Sequence, residues 1–339
     1  EEVVVRVSAC GICHSDLTVI ERADPRQLPV VLGHEAAGSV EAVGRGVKRL
    51  ARGDRVMLTP LPGCGFCYYC QRGQATLCVE AQRFASGVRA DGSTPLSRRG
   101  RPVHRGFGTA GFGELTLVHE NGAVKIPDDT PLDVACVIGC AVQTGVGAVI
   151  NTARVEPGAS VLVLGLGGIG VSVVQGARLA GAALILASDP LAERRAHAQA
   201  FGATHVLDPG RDDVAARARE LTGGIGVDYA FDAAGAPRMV AQCVEATRPG
   251  GTSVMIGLPA DPRPLELDPM AFLIGEKRLV ASLLGSCNSQ RDVPRLLALW
   301  RKSALDLDGM ISQRRPLAQI NQGLDDLRAG RGIRTVLSL

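Results

Sequence analysis

The feature that most constrains the fold is a glycine-rich turn between two apolar segments. The run Val161–Leu164 is followed by GLGGIG at Gly165–Gly170, and apolar residues then recur periodically over Val171–Leu179. This order predicts a strand, a tight turn and a helix, which is the context that separates a nucleotide-binding motif from a chance glycine cluster.

Each glycine has a separate task in such a turn. Gly165 permits the sharp turn, Gly167 lets the backbone approach a pyrophosphate, and Gly170 allows the helix to pack closely on the strand. The helix begins near Gly168 and Ile169, so its N–H groups and its dipole face the phosphates. The sequence therefore predicts a dinucleotide site.

An acidic residue at the next strand end indicates which dinucleotide binds. The second apolar strand ends at Asp189, about 20 residues after the last glycine, where a carboxylate accepts hydrogen bonds from the adenosine ribose. The same charge repels a 2′-phosphate, which favours NAD over NADP. Arg194 and Arg195 follow and could tolerate that phosphate.

The chain length and the strand pattern predict two domains. A chain of 339 residues exceeds one ordinary core. Over residues 143–283, Ala-rich helical stretches separate strand candidates at Ser160–Leu164, Leu184–Ser188, Tyr229–Asp232 and Thr252–Ile256. This alternation predicts βαβ units and a parallel sheet.

The first segment, to about residue 130, predicts a compact β-rich unit, with strand candidates at Val3–Val7, Gly38–Val43, Arg55–Leu58 and Glu114–Val118. The last segment adds helix candidates at Asp292–Lys302 and Leu317–Ala329 and a strand at Arg334–Leu339. The segment Arg83–Arg105 holds six arginines and one aspartate, and we expect a solvated surface loop there.

Four cysteines predict a closed metal site. Cys64, Cys67, Cys70 and Cys78 form C-x2-C-x2-C-x7-C, a spacing that lets four thiolates surround one tetrahedral zinc ion. Because no coordination position stays open, the expected role is structural. Chance clustering and an iron-sulfur cluster are the alternatives.

A catalytic zinc needs three protein ligands and an open position, and its candidates lie outside that group. They are Cys13, His34 and Cys140, each near a turn or an element end. A lone cysteine is more often a buried core residue, as we expect for Cys10, Cys136, Cys243 and Cys287. Only the combination of residues is informative.

Bulk properties exclude several classes of function. A formal net charge of +3 and dispersed basic residues give no reason to expect a nucleic-acid or membrane partner, so a small molecule is the expected substrate. Ten cysteines without a signal-peptide pattern suggest metal ligands in a reducing compartment, and we expect the cytoplasm. The chain opens on Glu1 without an initiator methionine, so we expect an N-terminal piece to be missing.

Taken in order, the motifs resemble those of the zinc-containing medium-chain alcohol dehydrogenases. They are GICHSD, GHE, the four cysteines, IGC followed by QTG, GLGGIG with its acid, and the terminal GIRTVL. The DGS, RGRPVH and FGT strings are similar to the longer-chain branch, which includes the classical alcohol dehydrogenases and the glutathione-dependent formaldehyde dehydrogenases. The resemblance implies an α/β fold: a Rossmann doubly wound parallel-sheet coenzyme domain and a β-rich GroES-like catalytic domain. It also implies that residues 1–142 and 284–339 form this one catalytic domain.

The resemblance also assigns roles around the catalytic zinc. It implies that Cys13, His34 and Cys140 hold this ion and that the clustered cysteines hold a structural one, giving two Zn²⁺ per chain. Asp16 would orient His34, and Glu35 would approach the metal when its coordination changes. Ser15 would hand the substrate proton toward the nicotinamide ribose.

Cofactor positions follow in the same way. The resemblance places His14 and Arg334 at the pyrophosphate, Thr144 beside the nicotinamide and Arg194 near the adenosine ribose. Further NAD-contacting positions are Ile256 and Leu258. A homodimer formed through the coenzyme domain is the implied assembly.

Some positions depart from the family pattern. Thr18 replaces a histidine at the end of the proton relay, so we expect water to take that step. Asp24 keeps one acidic residue used by the glutathione-dependent enzymes, but Arg26 and Gln82 replace their second acid and their carboxylate-binding arginine, with Arg83 adjacent. The expected substrate pocket is apolar and lined by Pro60, Phe107, Leu258 and Leu283.

The predicted function is the reversible zinc-dependent oxidation of an alcohol to an aldehyde or ketone, with hydride transfer to NAD. A bulky or aromatic alcohol suits the expected pocket. The main alternative is a formaldehyde dehydrogenase that acts on a thiol adduct. A zinc-free reductase would not need the three catalytic ligands, and a zinc-ribbon protein would not explain the glycine turn.

Overall fold

The computed structural model describes residues 1–22, 28–89, 91–259 and 263–339. Its strands are β1 (Glu2–Gly11), β2 (Val30–Val31), β3 (Glu35–Val43), β4 (Arg55–Leu58), β5 (Leu96–Arg98), β6 (Arg101–Arg105), β7 (Leu115–His119), β8 (Ala123–Lys125), β9 (Ser160–Leu164), β10 (Leu184–Ser188), β11 (His205–Leu207), β12 (Val227–Asp232), β13 (Thr247–Met255), β14 (Arg278–Ala281), β15 (Ile311–Pro316) and β16 (Arg334–Ser338). Its helices are α1 (His14–Arg22), α2 (Tyr68–Gln71), α3 (Ala81–Ala85), α4 (Leu132–Cys136), α5 (Ala141–Gly147), α6 (Gly168–Leu179), α7 (Ala192–Ala200), α8 (Val214–Glu220), α9 (Pro237–Ala246), α10 (Pro269–Ile274), α11 (Ser289–Arg301) and α12 (Ile320–Arg328).

The chain divides into two compact units. The first unit comprises Glu1–Cys140 and Cys287–Leu339, and the second comprises Ala141–Ser286. The boundaries predicted at residues 142 and 284 lie close to these limits.

The first unit is built on a mixed, mainly antiparallel sheet. Its strand order is β15-β16-β1-β3-β4-β8, and β7 also pairs with β1. The alternating residues Val3, Val5 and Val7 are buried, because successive side chains of a strand point to opposite faces of the sheet. Both chain ends meet in this sheet, where β1 pairs with β16 from Ala9 to Gly11.

The arginine-rich segment is not a simple surface loop, and that prediction is wrong over its second half. β5 and β6 form an antiparallel hairpin, in which Arg99 and Gly100 have positive φ values at the turn. Arg98 to Arg101 are exposed at its tip, but Val103 and Arg105 are buried. Burial of alternate residues on β6 explains why a strand forms in spite of the charge.

The second unit is the predicted α/β domain. Six strands form a sheet in the order β11-β10-β9-β12-β13-β14, and every neighbouring pair is parallel. The strand order reverses beside β9, because the next strand in sequence after β11 pairs on the other side of β9. Ligands of open parallel sheets bind outside the carboxyl ends of the strands at such a reversal. The prediction of a doubly wound parallel-sheet fold is confirmed.

The glycine turn lies at that reversal, between β9 and α6. Gly165 has a φ of +88°, which a residue with a side chain rarely adopts. A Cβ atom added at Gly170 would lie 1.8 Å from the carbonyl oxygen of Gly165, so only glycine fits there. At Gly167 an added Cβ would meet nothing within 4 Å, so the backbone is open to an approaching group.

Within the ranges described above, no single helix has the length and apolar composition to cross a membrane. One bent pair of helical segments, Leu132–Gly139 and Ala141–Ala153, meets that test only when both are counted together.

Candidate active site

The first unit brings together the residues expected to hold a catalytic metal. Cys13 follows β1, His34 precedes β3, Glu35 begins β3, and Cys140 follows a short turn of 3-10 helix. Their ligand atoms all lie within 4.8 Å of one another. We call Cys13, His34 and Cys140 the Cys2His cluster, and Glu35 is the carboxylate beside it.

Asp16 fixes the imidazole of this cluster. Its Oδ1 atom lies 3.1 Å from Nδ1 of His34 and accepts a hydrogen bond from the backbone N–H of Gly33 at 3.0 Å, and its Oδ2 atom accepts one from the N–H of Cys13. Asp16 is completely buried. With Nδ1 held by a carboxylate, Nε2 is the nitrogen left to bind a metal.

Glu35 is a buried carboxylate that lacks a hydrogen-bond donor. Neither of its oxygens has a hydrogen-bond partner, and its charged neighbour is Arg334, whose Nε atom lies 3.4 Å from Oε2. Burial raises the pKa of Glu35 to about 8, although Arg334 opposes the shift. A buried, under-bonded carboxylate beside thiols and an imidazole is suited to a bound cation.

The pKa shifts of the cysteines and the histidine in the cluster are also consistent with a site for a divalent ion. A hydrogen bond from the Cys140 thiol lowers the pKa of Cys13 well below its usual value and raises that of Cys140. Burial lowers the pKa of His34, but Asp16 and Cys13 outweigh it, and the net shift is strongly upward. Zinc takes thiolates and a neutral imidazole, so its binding would displace the protons of Cys140 and His34. The donor set and its geometry fit zinc.

Helix α1 places the predicted proton-transfer group beside the cluster. The Oγ atom of Ser15 lies 3.8 Å from the Sγ atom of Cys13. His14 is exposed at the start of α1, and Thr18 donates its hydroxyl to the carbonyl of His14 at 3.0 Å. Arg334 is buried in the same unit, where it donates to the carbonyl of Ile12 at 2.8 Å.

The four-cysteine cluster lies in a separate loop of the first unit. The Sγ atoms of Cys64, Cys67, Cys70 and Cys78 all lie within 4.8 Å of one another. Backbone N–H groups donate to these sulfurs: that of Cys64 to Cys78 at 3.2 Å, and that of Cys67 to Cys64 at 3.4 Å. Hydrogen bonds of this kind stabilise thiolates, and four thiolates complete a tetrahedral zinc site.

The other cysteines do not join either group. Cys10, Cys136, Cys243 and Cys287 are buried and form no disulfide, and among the described residues neither metal-binding group includes them. This outcome agrees with their interpretation as core residues.

The second unit holds the dinucleotide candidates. Gly168, Ile169 and Gly170 begin α6 directly after the turn. Asp189 follows β10, and its two carboxylate oxygens accept the N–H groups of Leu166 and Leu191, each at 2.9 Å. The carboxylate is thereby fixed against the glycine turn.

Further cofactor candidates lie elsewhere in this unit. Arg194 has its Nη1 atom 3.7 Å from Oδ2 of Asp189, and its buried Nε atom has no hydrogen-bond partner. Thr144 is buried on α5, Ile256 is buried after β13, and Leu258 is exposed. Of the pocket candidates, Leu283 is exposed in this unit, whereas Pro60 is buried in the first.

One contact of the Cys2His cluster was not predicted. The aromatic ring of Phe107, expected only as a pocket wall, contacts the imidazole of His34, with ring centroids 4.5 Å apart and planes inclined by 48°. Phe107 has a glycine on each side and a φ of +53°. The flanking glycines were the available signal, but they did not identify the partner.

Comparisons with known proteins identify the family of the chain. Residues 1–128 match the alcohol dehydrogenase GroES-like domain, and residues 168–302 match the zinc-binding dehydrogenase family. The structure is similar to an alcohol dehydrogenase zinc-binding domain protein from Burkholderia ambifaria, at 39% identity over 100% of this chain and 91% of that one, with a TM-score of 0.95.

Two other solved structures show the same fold. Benzyl alcohol dehydrogenase from Acinetobacter calcoaceticus is 32% identical over 100% of this chain and 92% of that one, with a TM-score of 0.94. A zinc-binding dehydrogenase from Sinorhizobium meliloti, bound to NADP, is 29% identical over the same shares, with a TM-score of 0.82. With its GroES-like domain, its parallel-sheet domain and its candidate zinc ligands, the chain belongs to the zinc-containing medium-chain alcohol dehydrogenases, a family of oxidoreductases that use zinc and a nicotinamide cofactor.

Proposed function

We propose that this chain oxidises a primary or secondary alcohol to an aldehyde or ketone, reversibly, with NAD as the hydride acceptor. The observation that carries the proposal is the Cys2His cluster with a serine hydroxyl beside it. Three protein ligands leave a fourth position for a substrate oxygen, and Ser15 Oγ lies 3.8 Å from the sulfur of one ligand.

Two zinc ions per chain belong to this proposal. Cys13, His34 and Cys140 would hold the catalytic ion, and the four-cysteine cluster would hold the structural ion. When bound at the Cys2His cluster, zinc supplies a Lewis acid that lowers the pKa of an alcohol hydroxyl. Asp16 would hold Nδ1 of His34 so that Nε2 can bind the ion, and the buried Glu35 would supply negative charge beside it.

The proton and the hydride leave the substrate by different routes. Ser15 accepts the hydroxyl proton on Oγ and passes its own proton on toward the cofactor ribose and solvent. Thr18 cannot titrate as a histidine does, so water completes the transfer. When bound, the nicotinamide ring supplies the acceptor for the hydride of the carbinol carbon.

The choice of NAD rests on Asp189. Its carboxylate is held at the end of β10 by two backbone N–H groups, where a 2′-phosphate would meet a fixed negative charge. Gly165, Gly167 and the start of α6 would accept the pyrophosphate, with His14, Arg334, Thr144, Arg194, Ile256 and Leu258 as the remaining contacts. One relative is bound to NADP, so the cofactor choice needs its own test.

Replacing Asp189 with Ser or Gly should raise the KM for NAD and relax the discrimination against NADP, because the change removes both a ribose acceptor and a like-charge barrier. Initial rates with the two cofactors measure the effect. Asp213→Ser is the matched control, since the Asp213 carboxylate also accepts a backbone N–H, that of Ala216 at 3.0 Å, but at the start of α8. An unchanged NAD preference in the Asp189 variants would assign cofactor choice to Arg194 or another group.

For the substrate we propose a bulky or aromatic alcohol. Pro60 and Phe107 supply apolar surface in the first unit, and Phe107 contacts the ligand His34 directly. Relatedness supports the same substrate class, because the Acinetobacter relative is a benzyl alcohol dehydrogenase.

A thiol-adduct formaldehyde dehydrogenase is the second candidate, and one cavity favours it. Phe107 also lines a cavity of about 230 Å³ whose wall includes Arg83, Arg89 and Arg105, as a substrate with carboxylates would need. Arg83 and Arg89 are already paired with Glu80 and Glu2. The acid and arginine at positions 24 and 26 lie outside the described residues.

The assembly and the compartment complete the proposal. We infer a homodimer formed through the second unit, because β14 is an edge strand and the adjacent α10 exposes Met270, Leu273 and Ile274. The cytoplasm suits a chain whose described cysteines form no disulfide. No nucleic-acid or membrane partner is proposed.

NADH absorbance with a panel of aliphatic and aromatic alcohols tests the function directly. We expect turnover that depends on zinc and NAD and is fastest with aromatic alcohols, without glutathione. Turnover of formaldehyde only when glutathione is present would establish the second candidate instead. Absence of turnover with every alcohol, and with formaldehyde plus glutathione, in a protein carrying two zinc ions would contradict both candidates.

A further inference from the structure

The backbone that leads into His34 is held by a second segment of the first unit. The carbonyl oxygen of Gly33, which belongs to the peptide bond with His34, accepts two hydrogen bonds. They come from the hydroxyl of Thr109 at 2.8 Å and from the N–H of Gly111 at 2.7 Å. One residue earlier, the N–H of Phe112 donates to the carbonyl of Leu32 at 2.9 Å. The turn Gly106–Phe112 is therefore bonded directly to the residues that precede the metal ligand.

The same turn also reaches the side chain of the ligand. Asp16 bonds one ring nitrogen of His34, and one hydrogen bond alone still lets the imidazole plane tilt. The ring of Phe107, with its centroid 4.5 Å from that of His34, packs against the imidazole and restricts this tilt. Backbone and ring of one ligand are thus contacted by residues only two positions apart.

The turn keeps an unfavourable backbone conformation to make these contacts. Phe107 and Ala110 have φ values of +53° and +51°, a region in which a residue with a side chain is strained. Strain of this kind persists only where the surroundings fix it, and it concentrates at functional sites.

Close packing on both sides of Phe107 fixes the strained conformation. A Cβ atom added at Gly106 would lie 2.6 Å from Cδ2 of Leu32, and one added at Gly108 would lie 2.1 Å from the carbonyl oxygen of Phe84. Glycine at position 107 would relieve the strain, but it would remove the ring that contacts His34.

We propose that Thr109 and Phe107 are positioning residues for the metal ligand His34: Thr109 fixes its peptide plane and Phe107 fixes its imidazole plane. This inference rests on the proposed catalytic zinc site and assigns Phe107 a task beyond lining a pocket. The ligand is then held at three points: by Asp16, by Thr109 together with Gly111 through the carbonyl of Gly33, and by Phe107. Loss of one point should weaken metal binding without removing a ligand atom.

The test uses full-length protein with Co²⁺ in the Cys2His cluster and zinc in the four-cysteine cluster. Thr109→Val removes the hydroxyl donor and keeps the shape, and Phe107→Leu removes the ring and keeps apolar bulk. Each variant should lose Co²⁺ to a chelator about 10–100-fold more readily, the usual cost of losing a group that orients a metal ligand. The visible absorption of the bound Co²⁺ should shift, because the ligand geometry changes.

Conservative and remote variants separate positioning from packing. Thr109→Ser and Phe107→Tyr should restore Co²⁺ retention and the spectrum. Thr247→Val is the matched control: this threonine is also buried and donates its hydroxyl to a backbone carbonyl, that of Cys243 at 2.7 Å, but it lies in the second unit. It should change neither Co²⁺ retention nor the spectrum.

Several outcomes would overturn the inference. Wild-type Co²⁺ retention and spectrum in Thr109→Val and Phe107→Leu would do so, and so would a lowered thermal midpoint with unchanged retention. If Thr109→Val does not fold, Phe107→Leu decides alone. Metal loss in Cys140→Ser combined with normal retention in both positioning variants would overturn this inference only, whereas full metal retention in Cys140→Ser would overturn the proposed zinc site itself.

Discussion

The Cys2His cluster and the four-cysteine cluster use the same kind of thiolate but are built in opposite ways. All four cysteines of the four-cysteine cluster come from Cys64–Cys78, and three of them are partly exposed. The Cys2His cluster draws Cys13, His34 and Cys140 from distant parts of the chain and buries the first two. The local cluster depends on its own spacing, whereas the distributed cluster depends on the fold of the first unit.

We therefore expect the four-cysteine cluster to contribute to stability and the Cys2His cluster to take part in the reaction. A metal bound by four neighbouring thiolates can order a loop but offers no position to a substrate. The Cys2His cluster is contacted by Asp16 and, through Gly33, by the Gly106–Phe112 turn, and its three side chains would leave one position of a bound metal to a substrate. Variants in the two clusters should therefore fail in different ways.

Cys140→Ser should have the largest effect on activity. It removes one of three ligands from the Cys2His cluster, so we expect about one zinc ion per chain to be lost and turnover to fall to background. Metal analysis and circular dichroism check the result, and the fold should remain because the four-cysteine cluster is untouched. Loss of both ions would show that the two clusters are not independent, and loss of neither would show that Cys140 does not hold a metal.

Ser15→Ala should come next, with both metals and NAD binding retained. We expect kcat to fall by about 10²–10⁴-fold, the usual contribution of a positioned proton-transfer group. The loss should shrink as pH rises, because hydroxide can then take the substrate proton without Ser15. Pre-steady-state NADH formation across pH measures the step.

Two further variants serve as controls for Ser15. Ser15→Thr should retain most activity, and Thr18→Ala should change it little, since the Thr18 hydroxyl is engaged with the carbonyl of His14. An alanine variant at position 15 as fast as the wild type at pH 7 would remove Ser15 from the mechanism.

Cys67→Ser should lower stability more than activity, the opposite of the result expected for Cys140→Ser. We expect loss of the other zinc ion, a lower thermal midpoint and faster proteolysis near residues 64–78, because that loop has few buried side chains of its own. The kcat of the folded fraction should change by less than about tenfold, or about 1.4 kcal/mol. Limited proteolysis with and without chelator measures the first effect, and active-site titration before rate measurement isolates the second. A kcat loss as large as that of Ser15→Ala would mean that the loop shapes the catalytic site.

The same contrast explains what the sequence could reveal. The spacing of the four cysteines is local, and the strand, glycine turn and helix around Gly165 are local too, so both were predictable. The parallel sheet followed from the alternation of strands and helices. Cys140 was harder, because Cys136 and Cys10 stand in equally apolar surroundings, and only the fold shows that they lie outside the cluster.

Contacts between distant residues of the first unit escaped prediction for the same reason. Nothing in the local sequence says that Phe107 meets His34 or that Thr109 bonds Gly33, since these pairs are separated by more than seventy residues. The hairpin of β5 and β6 was hidden by its arginines, because the charge of the exposed tip masked the burial of Val103 and Arg105. Each of these structures depends on contacts between residues that are distant in the sequence.

Arg72→Ala should have the smallest effect and mark the outer limit of the four-cysteine cluster. The Arg72 guanidinium lies 3.6 Å from the ring centroid of Tyr68 and donates to that residue's carbonyl, beside the ligands Cys67 and Cys70. An exposed cation–π contact contributes about 0.5–1 kcal/mol, so zinc release to a chelator should accelerate by no more than about fivefold. Activity should not change, and the rate of zinc release from Arg72→Lys should lie between the rates of the wild type and Arg72→Ala. Zinc release from Arg72→Ala as fast as from Cys67→Ser would mean that contacts on the loop surface, rather than the four thiolates, hold this cluster together. The four-cysteine cluster would then depend on its surroundings, as the Cys2His cluster does.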